Sequence, residues 1–205
     1  MRGVAFIGGE GPLAQVSALL AQDAAVIVAA DSGLHAAEAA GIRPDWIVGD
    51  MDSLEDEAVL AAYPAGRVLR YSADKDWTDT ELAVDMLFDK GCDEVILVGG
   101  GGGRLAHIIG LYALFERERR PVRWRTARED VFLACNSVEF DAAPGTVISV
   151  FPMGESPWKA ASINLKWPLD AVKWRRGFFG LSNAATDHKV RIDVLAGMFL
   201  IIIEC

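Results

Sequence analysis

Basic residues are scarce in this chain. Twenty lysines and arginines stand against 29 acids, a formal net charge of −9. Nucleic acids and anionic membrane faces bind through clustered cations that displace counterions, so this balance argues against both as partners. The one basic stretch, Arg117 to Arg128, has a phosphate patch as one reading, but a solvated helix end followed by an edge strand is preferred. Cysteine is equally sparse. Cys92, Cys135 and Cys205 are odd in number and far apart, giving neither a metal spacing nor a disulfide framework, which fits a reducing cytoplasm. No apolar run approaches the ~20 residues of a membrane helix. The longest, residues 194–203, reads as a strand, a turn at Gly197 and a final strand. The N-terminus enters a strand-like run, Val4 to Ile7, without the long apolar region and cleavage site of a signal peptide.

What is present describes a folded protein: 205 residues, 52% hydrophobic and 24% charged, enough for one large domain or two small ones. As far as Thr126, short apolar runs alternate with helical patterns. Val4 to Ile7, Ala25 to Ala29, Trp46 to Val48, Val68 to Tyr71, Glu94 to Val98 and Val122 to Trp124 read as strands. Runs apolar on both faces, separated by helices, predict an α/β domain over 1–126 with a mostly parallel, Rossmann-like sheet. Thr78-Asp79-Thr80-Glu81 is a capping box that starts the clearest helix, and Gly91 suits its left-handed end. Beyond Thr126 the pattern changes to short strands broken by Gly, Pro and Asn, and Val190 to Val194 alternates with period two. Residues 127–205 are predicted as a small all-β sandwich, with Trp158, Trp167 and Trp174 read most simply as its core and, as the alternative, one of them as a stacking face for a heteroaromatic ring.

Acids recur at the strand ends of the first domain: Asp31, the pair Asp50 and Asp52, and Asp79. Ligands of parallel sheets bind beyond the carboxyl ends of the strands, so these side chains are expected on one rim. Crowded carboxylates repel one another unless a cation lies among them, and hard oxygen ligands suit Mg²⁺ carrying a polyphosphate. Two bland readings compete. An acid at a helix start, such as Asp79, is stabilised by the helix dipole without any metal, and the Asp50–Ser53 segment also suits a capping turn. Lys75, just before the capping box, is better explained by a phosphate contact. Five glycines, Gly99 to Gly103, followed by Arg104 and a helix carrying His107, read as an anion cradle. A P-loop is excluded because no Lys-Ser/Thr ending follows. Gly9 to Ala14 matches a dinucleotide-binding pattern, with Asp31 placed as a ribose-binding acid, which keeps a nicotinamide enzyme as a rival. Against it, Glu10 sets a carboxylate where the pyrophosphate would lie, Pro12 removes an N–H, and the other acids and Arg104 are left unexplained.

In order along the chain, Asp31-Ser-Gly, the run Gly41 to Ser53, Lys75-Asp-Trp-Thr-Asp-Thr-Glu-Leu-Ala, Gly102-Gly-Arg-Leu-Ala-His, Trp167-Pro-Leu-Asp, Arg175-Arg-Gly and Gly180-Leu-Ser-Asn resemble the thiamine pyrophosphokinase family. The resemblance implies ATP-dependent transfer of a pyrophosphoryl group to thiamine, in a homodimer with active sites between subunits. It implies that Asp50, Asp52 and Asp79 hold Mg²⁺ and, with Arg104, carry the chemistry. Asp31, Lys75, Thr78, Gly102, Gly103 and His107 would meet the nucleotide and its metal, and Ser182 and Asn183 the aminopyrimidine of thiamine. One departure stands out: Ala106 occupies the place of a carboxylate in the family pattern Gly-Gly-Arg-x-Asp-His. Ala185 is also small where relatives often carry a bulkier residue. A weakened relative that binds thiamine or its diphosphate, and a pyrophosphokinase for another hydroxymethyl heterocycle, are the alternatives.

Overall fold

Six short apolar runs become strands in the first part of the chain: β1 (Arg2–Phe6), β2 (Val26–Ala30), β3 (Trp46–Gly49), β4 (Val68–Arg70), β5 (Glu94–Val98) and β6 (Arg123–Arg125). They lie within two residues of the runs read from sequence. The structure is a computed structural model describing residues 1–54 and 56–205, and it divides into two units, Met1–Ala127 and Arg128–Cys205.

In the first unit every strand pairing is parallel, in the order β6-β5-β1-β2-β3-β4. Parallel pairs require crossovers, here carried by α1 (Ala14–Ala21), α2 (Gly33–Ala39), α3 (Asp79–Asp89) and α4 (Leu105–Leu114), and between β3 and β4 by two 3₁₀ turns (Glu57–Ala62 and Ala65–Arg67). The inner strands β1, β2, β3 and β5 are apolar on both faces because both are covered. Val4, Phe6, Ala29, Ile47, Ile96 and Val98 share a core with Leu20 of α1 and Leu34 of α2. The alternate residues point the other way. A Cβ added at Gly3 would stand 2.8 Å from Leu87 of α3, which marks that face as the one α3 covers. After β4 the chain crosses back to place β5 beside β1, so the strand order reverses between those two strands. The crevice at such a reversal is where ligands of open α/β sheets bind.

The α3 termini follow local chemistry. The Thr78 hydroxyl accepts from Glu81 N at 3.2 Å while the Glu81 carboxylate accepts from Thr78 N at 2.8 Å, which satisfies two otherwise free N–H groups. At the far end Gly91 adopts φ 87 and passes its N–H to Phe88 O at 2.9 Å.

The second unit contains β7 (Glu129–Ala134), β8 (Val138–Asp141), β9 (Val147–Met153), β10 (Lys159–Ile163), β11 (Gly180–Ala184), β12 (Lys189–Ala196) and β13 (Met198–Glu204). They form the antiparallel sets β11-β9-β13-β7 and β10-β12-β8. Inward residues of both, including Ile148, Val150, Phe199 and Ile201 from one and Ala160, Val190 and Ile192 from the other, form one core, as in a sandwich. The expected turn at Gly197 is present at φ 76. It is a corner between sheets and not a hairpin, since β12 and β13 pair in different sets. One expectation needs correcting. Trp158 and Trp174 pack on the core, but Trp167 is 55% exposed. The following turn delivers Leu169, 2% exposed, to the interior in its place.

The end of β5 has no room for a side chain. Gly99 has φ 112, and a Cβ there would lie 2.2 Å from Ile7 O. At Gly110, inside α4, an added Cβ would meet nothing within 4 Å. We expect Gly99→Ala to lose at least about 2 kcal/mol in urea unfolding, from strain plus collision. Gly110→Ala should gain up to about 1 kcal/mol from helix propensity.

Candidate active site

The carboxyl ends of β1, β2, β3 and β5 and the first turns of α3 and α4 surround a cavity of about 900 Å³ in the first unit. The sheet topology therefore collects residues remote in sequence. Asp31, Asp50, Asp52, Thr78, Asp79, Gly102, Gly103, Arg104, Ala106 and His107 all line it.

Three of the acids form a cluster. One carboxylate oxygen each from Asp31, Asp50 and Asp79 lies within 4.8 Å of the others. Asp31 follows β2 with φ 46, and its Oδ1 accepts from Met51 N at 3.0 Å. This brings its carboxylate over Gly49, where a Cβ would stand 1.9 Å from Asp31 Oδ1 and φ is 144. Only glycine fits there. Asp52, expected among the metal ligands, lies outside this group of three. It borders the same cavity and bonds to Asp50 both through its N–H, at 3.2 Å to Asp50 Oδ1, and through its carboxyl.

Crowding shows in the protonation of these groups. Burial, then the Asp79 hydrogen bond and the charges of Asp79 and Asp50, push the Asp31 carboxyl up to about 7 against the lowering effect of the Met51 N–H. The Asp52 N–H holds Asp50 below the usual carboxylate range, and the hydrogen bond and charge of Asp50 hold Asp52 above it. Lys75 Nζ lies 3.1 Å from Asp79 Oδ1 and 3.7 Å from Asp50 Oδ2. Burial works against its ammonium, but the Asp79 bond and the charges of Asp79, Asp50 and Asp31 outweigh that and raise its pKa. Asp79 Oδ1 is buried and has this ion pair but no aligned hydrogen-bond donor. The donor set suits a hard divalent cation: three carboxylate oxygens from separate segments, one lacking a donor, and mutual repulsion that a cation would remove.

Opposite the acids, the glycine loop is folded and not a loose tether. Gly99, Gly100 and Gly101 give their N–H groups to Arg125, Gly8 and Glu10 carbonyls at 3.0, 3.0 and 2.9 Å, and Glu10 N returns a bond to Gly101 O at 2.7 Å. Gly102 and Gly103, at φ 64 and 75, are left at the cavity with their N–H groups available to an anion. Arg104 is the N-cap residue of α4 and, like Ala106 and His107, is exposed at the cavity. This stitching also answers the dinucleotide rival, because the Glu10 N–H that would meet a pyrophosphate is bound to Gly101. Arg117, the first residue of the basic stretch read preferentially as a solvated helix end, also lines the cavity. Its Nη2 is held by Asp85 at 3.1 and 3.3 Å, and its buried Nη1 has no hydrogen-bond partner. No local pattern signals this, since the contact depends on how α3 and the end of α4 pack.

In the second unit, Ser182 and Asn183 lie in β11, at a bulge in its pairing with β9, and not in a free loop. Ser182 is exposed with φ 54. Asn183 is buried, and its amide clamps the Trp167 main chain: Nδ2 donates to Trp167 O at 2.6 Å and Oδ1 accepts from Trp167 N at 3.0 Å. The side chain acts as an added strand partner that presents the exposed indole.

Comparison with known proteins agrees with this geometry. Residues 17–122 match the family model described as thiamin pyrophosphokinase, catalytic domain. The thiamine pyrophosphokinase of Bacillus subtilis (strain 168) is 36% identical over 86 residues, 40% of this chain and 39% of that protein. The aligned stretch thus spans less than half of that relative's length. Among solved structures, the thiamine pyrophosphokinase of Bacillus subtilis superposes with a TM-score of 0.79 at 21% identity, covering 98% of both chains. That of Geobacillus thermodenitrificans gives 0.75 at 23%, covering 100% of this chain and 98% of the other. That of Candida albicans gives 0.73 at 15%, covering 99% and 88%. These likenesses support the fold. The family match takes in β2 to α4, which carry the acid cluster, the capping box and the glycine–arginine turn, and by it this chain belongs to the thiamin pyrophosphokinase family.

Proposed function

We propose that this chain transfers the pyrophosphoryl group of ATP to the hydroxyl of thiamine, giving thiamine diphosphate and AMP. The observation that carries the reading is the convergence of Asp31, Asp50 and Asp79 within 4.8 Å on a cavity shared with Gly102, Gly103 and Arg104. Asp31, Asp50 and Asp79 would hold Mg²⁺, with Asp52 supporting Asp50 through their hydrogen bond. Bound there, the ion neutralises polyphosphate charge and makes the β-phosphorus easier to attack. The Gly102 and Gly103 N–H groups and the Arg104 guanidinium take the phosphate oxygens, with Lys75, Thr78 and His107 around them. The thiamine hydroxyl oxygen forms the new bond to the β-phosphorus as the bond from that phosphorus to the bridging oxygen breaks, AMP leaves with the bridging oxygen, and the hydroxyl proton is released to solvent. Positioning and fixed charge supply the acceleration, so no covalent nucleophile is required.

Thiamine is assigned to the second unit. Ser182 offers a hydroxyl, and Trp167, held out by Asn183, offers an aromatic face. We assign a homodimer with active sites between subunits, supported by Phe178, Phe179 and Leu181 at 38, 45 and 57% exposure near that serine in sequence. Cytoplasmic location is supported by three cysteines that are all free thiols. Among the described residues, no helix is long and apolar enough to cross a membrane.

Three measurements test this reading. Purified protein given ATP, Mg²⁺ and thiamine should release AMP, and no release would sink the assignment. Asp50→Ala and Asp79→Ala should lower kcat/KM by about 10²-fold or more while moving Tm by only a few degrees, because removing charge stabilisation at a solvent-accessible rim costs chemistry more than packing. Equal losses in both would instead support a capping role. Ala106→Asp adds a carboxylate at the cavity wall and should raise kcat if the family acid is what the site lacks.

A fourth concerns Asp31 without metal. Its folded pKa, about 7, is above the ordinary value of 3.8, so the stability it contributes is complete below about 4 and is lost as pH rises through 7. Metal-free protein should therefore melt at lower temperature at pH 8 than at pH 5. Asp31→Asn, which tolerates the same positive φ, should reduce that slope.

A further inference from the structure

Lys75 lies in the segment between β4 and α3, with its side chain only 13% exposed, and its ammonium is held by carboxylates. Nζ is 3.1 Å from Asp79 Oδ1 and 3.7 Å from Asp50 Oδ2. Those two residues, with Asp31, are the cluster able to hold a metal ion. The ammonium thus already offsets part of the charge that a divalent cation would neutralise.

We propose that Lys75 is an internal counter-ion that makes cation binding at Asp31, Asp50 and Asp79 conditional on a polyphosphate. The inference rests on the metal-nucleotide reading above and adds an order of events to it. An ammonium and a divalent ion cannot share the same carboxylates at these distances without strong mutual repulsion. A cation arriving alone must displace Lys75 from Asp79 and Asp50 and leave its ammonium without those partners in a cavity that Arg104 and Arg117 also line. A cation arriving with a polyphosphate would bring the ammonium a new partner, because phosphate oxygens held by the N–H groups of Gly102 and Gly103 would share the cavity with the carboxylates. The lysine then moves from carboxylate to phosphate with no loss of charge pairing. Linkage makes the effect reciprocal: the factor by which polyphosphate tightens the cation is the factor by which the cation tightens polyphosphate. Free protein accordingly holds divalent ions poorly, and the carboxylates are not driven apart by their repulsion, because the lysine pairs with two of them.

The test uses the full chain with Mn²⁺ as a paramagnetic probe, free and bound ion being separated by EPR, with and without inorganic tripolyphosphate. Wild-type protein should bind Mn²⁺ weakly by itself and strongly with tripolyphosphate. Lys75→Gln should bind Mn²⁺ alone at least about tenfold more tightly, and the enhancement by tripolyphosphate should shrink by a similar factor. A folding defect cannot mimic this, since the variant gains binding. Arg104→Gln removes a positive charge from the same cavity without touching the carboxylates, and should change Mn²⁺ affinity in the absence of tripolyphosphate by less than about twofold. Equal affinity of wild type and Lys75→Gln for Mn²⁺ alone overturns the proposal, as does an equal gain in Arg104→Gln, which would reduce the effect to overall charge. If no form binds Mn²⁺ even with tripolyphosphate, the metal-nucleotide reading falls as well.

Discussion

Electrostatic repulsion among Asp31, Asp50 and Asp79 is the constraint around which the first unit is organised. Three carboxylates whose oxygens lie within 4.8 Å cannot all be ionised in isolation without a large penalty. The fold answers in three ways. The Met51 N–H bonds Asp31, the Asp52 N–H bonds Asp50, and the Lys75 ammonium lies against Asp79 and Asp50. Each device has a backbone cost nearby, visible as positive φ at Asp31 and Met51 and as a position at Gly49 that admits no side chain. Strain and like charge gathered at one rim mark a site kept for a ligand and not for stability.

The sheet carries that rim. Parallel strands bury both faces, so the strand interiors are nearly featureless aliphatic runs, and chemistry is confined to the loops beyond each carboxyl end. The order reverses between β1 and β5, and the loops that follow these two strands are stitched together by the reciprocal bonds between Glu10 and Gly101, which fixes the glycine turn at the cavity. Anionic and cationic walls therefore face each other across one cavity: carboxylates after β2 and β3, N–H groups and Arg104 after β5. A polyphosphate with its cation is complementary to both walls at once, which neither a lone anion nor a lone cation is.

The second unit works by a different device. Asn183 gives both ends of its amide to the Trp167 main chain, so a residue that resembles a ligand contact in sequence is committed to holding a neighbour in place. Ser182, at a bulge, is turned to solvent by the same irregularity.

Strand positions, the Thr78 capping box and the Gly91 stop were legible in the sequence because each depends on residues within a few positions of one another: alternation of apolar side chains, a hydroxyl three residues from a glutamate, a glycine after the last turn. That the acids fall after strands was legible for the same reason. Which acids meet was not. Asp52 is two residues from Asp50 and was the natural companion from sequence, yet Asp31 completes the cluster. The pairing of β2 with β3 and a left-handed turn at Asp31 aim that carboxylate across Gly49. Arg117 at the cavity, Trp167 on the surface and the passage from one sheet to the other at Gly197 were hidden likewise. Local pattern says what a segment prefers to be, whereas contact between segments distant in the chain is decided by strand order and by how helices pack over it.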